Sequence, residues 1–267
     1  MKVGLTAIKG TVQKALALEL YNDGLFDISS ALVRQGYDEV GLDIGTFLGL
    51  EKIGAKITDS IEELFKKSDV VIDFSSPELA LKAASTASKM NKTVIIGTRF
   101  LTEEELDKLK KYSESCRILY SSNMSITFNL LLNITELASS ILRDDYNINV
   151  LDFENITNKS GSGMSNEIAK AVATGRGWEF GEVYKKTNGN GENINEKQIN
   201  FASLRGGDKM GKYEVLFNGV GEELRITQSM TSFSSFIKGV KRALIWLDGK
   251  QNGLYTMKDV LKLSKVN

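Results

Sequence analysis

Short apolar runs, set at intervals between amphipathic segments, restrict this chain more than any other feature. Val70–Phe74 reads V-V-I-D-F and is broken only by Asp73. A run with no polar alternation is the pattern of a strand buried on both faces. Thr93–Ile96 (T-V-I-I) is a second such run. Lys2–Ala7 reads as a first strand, leading through a turn at Gly10 into an amphipathic segment, Val12–Asn22. Phe26–Val33 and Ile118–Tyr120 read as further strands. Helix start signals fall between them. Ser60 precedes Glu62 and Glu63 in Asp59–Lys67, Ser76-Pro77 opens the next helix, and Thr102 with Glu105 forms a capping box for Thr102–Tyr112. Strand alternating with helix over roughly the first 120 residues predicts an α/β fold built on a doubly wound parallel sheet.

Beyond residue 125 the pattern changes. A long helix over Ile126–Leu142 is followed by a strand at Ile148–Phe153 and a helix at Asn166–Ala173. Gly175–Glu196, rich in Gly, Asn and Lys, reads as a flexible excursion. Ile199–Leu204, Tyr213–Asn218 and Glu223–Met230 read as antiparallel strands. A last helix, Ser234–Leu247, carries Phe236, Ile237, Val240, Leu244 and Leu247 at helical spacing, a stripe suited to packing on the first sheet. The expected organisation is residues 1–125 with 233–267 as one domain, and residues 126–232 as an α+β domain with a mixed sheet.

The 267 residues have room for one large domain or two ordinary ones, and 42% of them are apolar. Thirty-four Lys and Arg balance 34 Asp and Glu, which gives no overall electrostatic reason to bind nucleic acid or an anionic membrane. No run approaches the ~20 apolar residues of a membrane span, and the start, MKVGLTAIKG, lacks the apolar core of a signal peptide. The single cysteine, Cys116, excludes an internal disulfide, and a cytoplasmic protein is expected. The chain has no histidine. It therefore lacks the commonest transition-metal ligand and the commonest acid/base at neutral pH, and no metal site is expected.

Open parallel sheets bind ligands beyond the carboxyl ends of their strands. At the first such end, residues 6–14 read T-A-I-K-G-T-V-Q-K. A dinucleotide fingerprint wants three glycines here, for the tight turn, for close approach of the pyrophosphate and for helix–strand contact. Only Gly10 is present, with Ala7 and Gln13 where the flanking glycines would fall. Ala7, Gly10, Thr11 and Val12 are the residues a nucleotide would meet, and an ordinary strand–helix turn is the competing reading. At the second strand end no carboxylate stands beside Arg34 to accept ribose hydroxyls. Arg34 is either a partner for a 2′-phosphate, favouring NADPH over NADH, or a solvated side chain. Residues 152–165 read D-F-E-N-I-T-N-K-S-G-S-G-M-S. Gly161, Ser162 and Gly163 ahead of a helix, with Lys159 and Ser165 nearby, suit a carboxylate or phosphate, against the alternative of a plain flexible cap.

Several longer phrases point the same way: VVIDFSSPE at 70–78, VIIGTRF at 94–100, YSSNMSITFNLLL at 120–132, SGSGMS at 160–165, INFASLRGGDKMGKYEVLF at 199–217 and ALIWLDGKQNGLYTMKDVL at 243–261. In order and spacing the chain resembles the bacterial dihydrodipicolinate reductase (4-hydroxy-tetrahydrodipicolinate reductase) family along nearly its whole length. The resemblance implies a Rossmann-like N-terminal domain that holds NADH or NADPH. It also implies a mixed-sheet domain that binds a cyclic dicarboxylate and builds a homotetramer, and hydride transfer on the diaminopimelate route to lysine. Carried over by residue, Gly97 and Thr98 match the cofactor-side turn. Ser122, Asn123 and Met124 match the segment along the nicotinamide. Ser162 and Gly163 match the carboxylate grip, with Asn155 and Met164 beside it. Lys159 is the nearest match for the family's catalytic lysine.

The departures fall where the chemistry should be. Glu154 and Asn155 stand at the positions of the family's two histidines, Met164 replaces a threonine of the carboxylate grip, Arg99 replaces a threonine after Thr98, and the nucleotide glycines are depleted. Lys159 and Glu154 are then the candidates for proton delivery. Two readings follow: a reductase that works without histidine, since the hydride is the cofactor's chemistry, or a non-catalytic binding or assembly protein that keeps the fold.

Overall fold

The computed structural model describes residues 1–155, 163–183, 198–207 and 211–263. Its elements run in the order β1 (Lys2–Leu5), α1 (Thr11–Asp23), β2 (Asp27–Leu32), α2 (Ile44–Leu48), β3 (Lys56–Thr58), α3 (Ile61–Lys67), β4 (Val70–Asp73), α4 (Pro77–Met90), β5 (Thr93–Ile96), α5 (Glu103–Ser113), β6 (Arg117–Tyr120) and α6 (Ile126–Leu142). They continue with β7 (Asn147–Glu154), α7 (Gly163–Arg176), α8 (Phe180–Val183), β8 (Ile199–Arg205), β9 (Gly211–Gly219), β10 (Glu222–Met230), α9 (Ser234–Leu247), β11 (Gly253–Tyr255) and α10 (Met257–Leu261). Two compact units result, one formed by Met1–Ser125 with Phe236–Leu261, the other built on Ile126–Ser235.

In the first unit, seven strands among the described residues form a sheet in the order β11-β6-β5-β4-β1-β2-β3, and every pairing is parallel. β4 and β5 are buried at every position, which is why their sequences show no alternation. Helix starts follow the sequence signals. The side chains of Ser60, Ser76 and Thr102 each accept the backbone N–H three residues on, and Glu105 completes the box at Thr102. One core joins Val3, Leu5, Ile72 and Ile95 of the sheet to α1 and α9, and another joins Val71, Val94 and Ile118 to α3, α4 and α5. The sheet is thus covered on both faces. The stripe of α9 lies in the first of these cores, where Ile237, Val240, Leu244 and Leu247 are all buried. Each such side chain contributes about 1.5–3 kcal/mol by leaving water. Gly239 lets α9 come close, because a methyl group there would stand 1.7 Å from the Met124 carbonyl oxygen.

In the second unit, four strands among the described residues follow the order β10-β9-β7-β8. β10, β9 and β7 are antiparallel neighbours, but β8 runs parallel to β7. The expectation of antiparallel strands therefore fails for Ile199–Arg205. A helix-containing crossover separates β7 from β8, and such a connection returns the chain in the same direction. Burial alternates along β7, with Ile148, Val150, Asp152 and Glu154 facing inward. The core of this unit gathers Phe128, Val150, Ile168, Val172, Phe201, Val215 and Phe217 between the sheet and helices α6 and α7. α7 begins at Gly163, three residues before the helix expected at Asn166. Within the excursion expected over Gly175–Glu196, Phe180–Val183 is helical, and residues 184–197 lie outside the described residues.

Among the described residues, no helix is long and apolar enough to cross a membrane. The same residues hold no cluster of acidic and thiol groups that could ligate a metal.

Candidate functional site

The strand order of the first unit reverses between β1 and β4. At such a switch point the connections leave in opposite directions and open a crevice past the strand ends. Ala7 begins the turn there with φ 45°, a left-handed backbone on a residue that carries a methyl. Gly10 donates its N–H to the Ala7 carbonyl at 2.8 Å and caps α1 with no side-chain hydrogen bond. The first turn of α1, at Thr11 and Val12, holds no acidic residue, so the positive helix end is left for an anion. Gln13, at the position of the third glycine, is fully buried. Its Nε2 donates to the Ile72 carbonyl at 3.0 Å, and its Oε1 has no hydrogen-bond partner.

Asp73 closes β4 on the other side of the switch point and is fully buried. Three hydroxyls donate to its carboxylate. Thr6 Oγ1 and Ser75 Oγ reach Oδ1 at 2.6 Å each, and Thr98 Oγ1 reaches Oδ2 at 2.5 Å. Burial raises the Asp73 carboxyl above its ordinary value, and the bonds from Ser75, Thr6 and Thr98 oppose that rise. Gly97 donates its N–H to the Asp73 carbonyl at 2.8 Å, and Thr98 Oγ1 accepts the Ser75 N–H at 2.8 Å. A methyl group on Gly97 would stand 2.1 Å from the Phe74 ring, so only glycine admits that ring. The end of β6 continues into Ser121, whose Oγ donates to the Asn123 carbonyl at 2.7 Å. Asn123 Oδ1 accepts the Ser125 N–H at 2.8 Å. Ser122 is half-buried, while Met124 is wholly buried in the core, with its carbonyl against Gly239.

Ile8 donates its N–H to the Leu32 carbonyl at 3.3 Å and so brings the turn beside the end of β2. Arg34 lies exposed two residues further on. A carboxylate that the sequence reading passed over also stands here. Glu39 accepts a hydrogen bond from Lys9 Nζ at 2.6 Å, and this bond, first among several causes, holds its carboxyl below the ordinary value. Glu39 is seven residues beyond β2, and no local signal marks it.

In the second unit, Glu154 ends β7 with its side chain buried, and Tyr213 Oη donates to Glu154 Oε1 across 3.4 Å. Asn155 follows, half-buried. Asp152, two residues before Glu154 on the same face, is buried as well. Its Oδ2 accepts a short hydrogen bond from Ser165 Oγ in the first turn of α7, and its Oδ1 has no hydrogen-bond partner. Gly163 is the first residue of α7, and the Met164 side chain is buried in the core of this unit. Lys159 and Ser162 lie outside the described residues. The sequence reading did not single out Asp152 or Tyr213, nor the pairing of Ser165 with Asp152. The inward alternation along β7 was the available signal for Asp152.

The residues of the first unit fit a dinucleotide. They offer an uncapped helix end and a glycine at the tight turn, both at the switch point past the carboxyl ends of β1 and β4. In the second unit two buried carboxylates, Asp152 and Glu154, face inward from β7, the first bonded by Ser165 and the second by Tyr213.

Two family descriptions match the chain: dihydrodipicolinate reductase, N-terminus, over residues 1–124, and dihydrodipicolinate reductase, C-terminus, over residues 127–261. A 4-hydroxy-tetrahydrodipicolinate reductase from Hahella chejuensis is 33% identical over 265 residues, covering 98% of this chain and 99% of that one. One from Pseudomonas fluorescens is 36% identical over 242 residues, covering 90% of each. Among solved structures, a dipicolinate-bound dihydrodipicolinate reductase from Paenisporosarcina sp. TG-14 superposes with a TM-score of 0.76 at 16% identity, covering 96% of this chain and 97% of that one. An amine dehydrogenase from Mycobacterium smegmatis gives 0.70 at 11% identity, covering 100% and 97%. At such identities the structural likeness speaks for the fold.

Proposed function

Because the chain belongs to the dihydrodipicolinate reductase family, we propose that it is a 4-hydroxy-tetrahydrodipicolinate reductase, acting on a cyclic dicarboxylate on the diaminopimelate route to lysine. When bound, NADPH or NADH supplies the hydride. The observation that carries this reading is the uncapped start of α1 at the switch point of the parallel sheet. There the N–H groups of Thr11 and Val12 would face the pyrophosphate, and Gly10 would allow its close approach. Gly97 and Thr98 shape the opposite wall of the crevice, and Ser122, Asn123 and Met124 form the segment that follows β6. Arg34 supports NADPH over NADH, since it is exposed beside the turn, while Glu39 is already engaged with Lys9.

The second unit holds the dicarboxylate in this reading. Gly163 at the start of α7, Ser162 before it in sequence and Asn155 are assigned to the substrate carboxylate. Lys159 adds a positive charge, and Met164 fills core in place of a threonine. Glu154, at a histidine position, moves the proton, with Tyr213 Oη as its neighbour. Apolar side chains left exposed support a homotetramer: Leu130, Ile134, Leu137 and Ile141 along α6, and Leu204 and Leu224 on the sheet. The place of work is the cytoplasm. A second reading, a binding protein without turnover, draws on the same departures at Glu154 and Asn155.

Direct titration tests the binding half of the proposal. Calorimetry with NADPH and, separately, with pyridine-2,6-dicarboxylate should give saturable binding of each. Failure of both at millimolar concentration would overturn the proposal.

A further inference from the structure

Gln13 and Ala7 occupy positions where a dinucleotide turn wants glycine, so something else must hold that turn in shape. The hydroxyl–carboxylate chain at the switch point is placed to do so. Thr6 Oγ1 binds Asp73 Oδ1 from the end of β1, and Thr98 Oγ1 binds Asp73 Oδ2 from the end of β5. Asp73 itself ends β4. One buried carboxylate therefore ties three strand ends together around the crevice. The Thr6 N–H adds a bond to the Ile72 carbonyl at 3.1 Å, and Gln13 Nε2 reaches the same carbonyl at 3.0 Å. Ala7 follows Thr6 directly, and its left-handed backbone persists only if its neighbours hold it there.

Resting on the cofactor reading above, we propose that Thr6 is a positioning residue for the dinucleotide: its hydroxyl, anchored on Asp73, locks the Ala7–Gly10 turn to the Gly97–Thr98 turn and takes over the role of the missing glycines. Thr6 is fully buried and cannot itself touch a bound nucleotide. Any effect on cofactor affinity must then act through the turn. The chain also accounts for the buried Gln13. Where a glycine would permit close helix–strand contact, the glutamine amide bridges α1 to β4 instead.

Two variants separate positioning from mere packing. Thr6→Val keeps the side-chain volume and removes the hydroxyl. Thr6→Ser keeps the hydroxyl and removes a methyl. Thr6→Val should weaken NADPH binding about tenfold, which corresponds to roughly 1.4 kcal/mol, while pyridine-2,6-dicarboxylate affinity stays unchanged. Thr6→Ser should bind NADPH like the unmodified protein, even where its urea midpoint is lower. Affinity then tracks the hydroxyl rather than stability. Equal NADPH affinity in all three proteins, or affinity that falls in step with the urea midpoint, would overturn the inference and leave the functional reading intact. No nucleotide binding by the unmodified protein would overturn both.

Discussion

Replacing Ala7 by glycine should make the protein more stable, against the usual cost of glycine. Ala7 sits at φ 45°, where its methyl crowds the following carbonyl. For an L-residue this conformation costs about 1–2 kcal/mol, and glycine removes that cost. Glycine also widens the unfolded ensemble, which takes back about 0.4–1 kcal/mol. The Ala7 side chain is only half-buried, so little apolar contact is lost. The balance is a gain of about 0.5–1 kcal/mol, equivalent to roughly 1–4 °C in Tm for a chain of this size. Urea unfolding followed by circular dichroism measures it. A control of opposite sign is Gly24→Ala. Gly24 ends α1 at φ 68° with open space around it, so no steric clash acts there; backbone strain outweighs the narrower unfolded ensemble, and a loss of about 0.5–1 kcal/mol is expected. A lower midpoint for Ala7→Gly, with the control behaving as stated, would rule out a strained backbone at Ala7 as the larger effect. It would show that the methyl contributes more than the left-handed backbone costs.

Other perturbations probe the same unit. Gly239→Ala should destabilise by about 2 kcal/mol in urea despite the better helix propensity of alanine, because its methyl would fall 1.7 Å from the Met124 carbonyl and push α9 off the sheet; an unchanged midpoint would show that the helix yields freely. Arg34→Ala should weaken NADPH about tenfold and leave NADH unaffected, read by fluorescence titration of each cofactor; equal weakening of both would rule out a 2′-phosphate contact.

Most of the first unit was legible because its signals are local. The runs at 70–74 and 93–96 are short, continuous and apolar, and Thr102 with Glu105 marks a helix start through neighbours three residues apart. α2 and β3 were missed. They are very short, and what organises them is Asp43, whose carboxylate accepts N–H groups from Thr46, Ile53 and Gly54. The direction of β8 was misread because period-two patterning is the same for parallel and antiparallel strands, and only the crossover through α7 sets the direction. At the candidate site, Ala7, Gly10 and Arg34 could be named from spacing. The links Thr6–Asp73–Thr98 and Lys9–Glu39 span 25 to 67 residues of sequence and exist only once the sheet has assembled.

The family resemblance carried the reading of the second unit, and the missing histidines are its central question. Binding of a dicarboxylate needs only helix N–H groups, hydroxyls and charge, and none of these requires histidine. Proton delivery needs a group that exchanges a proton near neutral pH, and neither a carboxyl nor a lysine amine does so at its unperturbed value. The decisive measurement is steady-state oxidation of NADPH by the purified protein with the family's cyclic dicarboxylate substrate, run beside Glu154→His and Asn155→His. Slow turnover by the unmodified protein is expected, with one histidine variant faster by up to about 10²–10⁴-fold at unchanged pyridine-2,6-dicarboxylate affinity. No turnover by any of the three, or turnover by the unmodified protein as fast as that of its histidine-bearing relatives, would contradict that expectation.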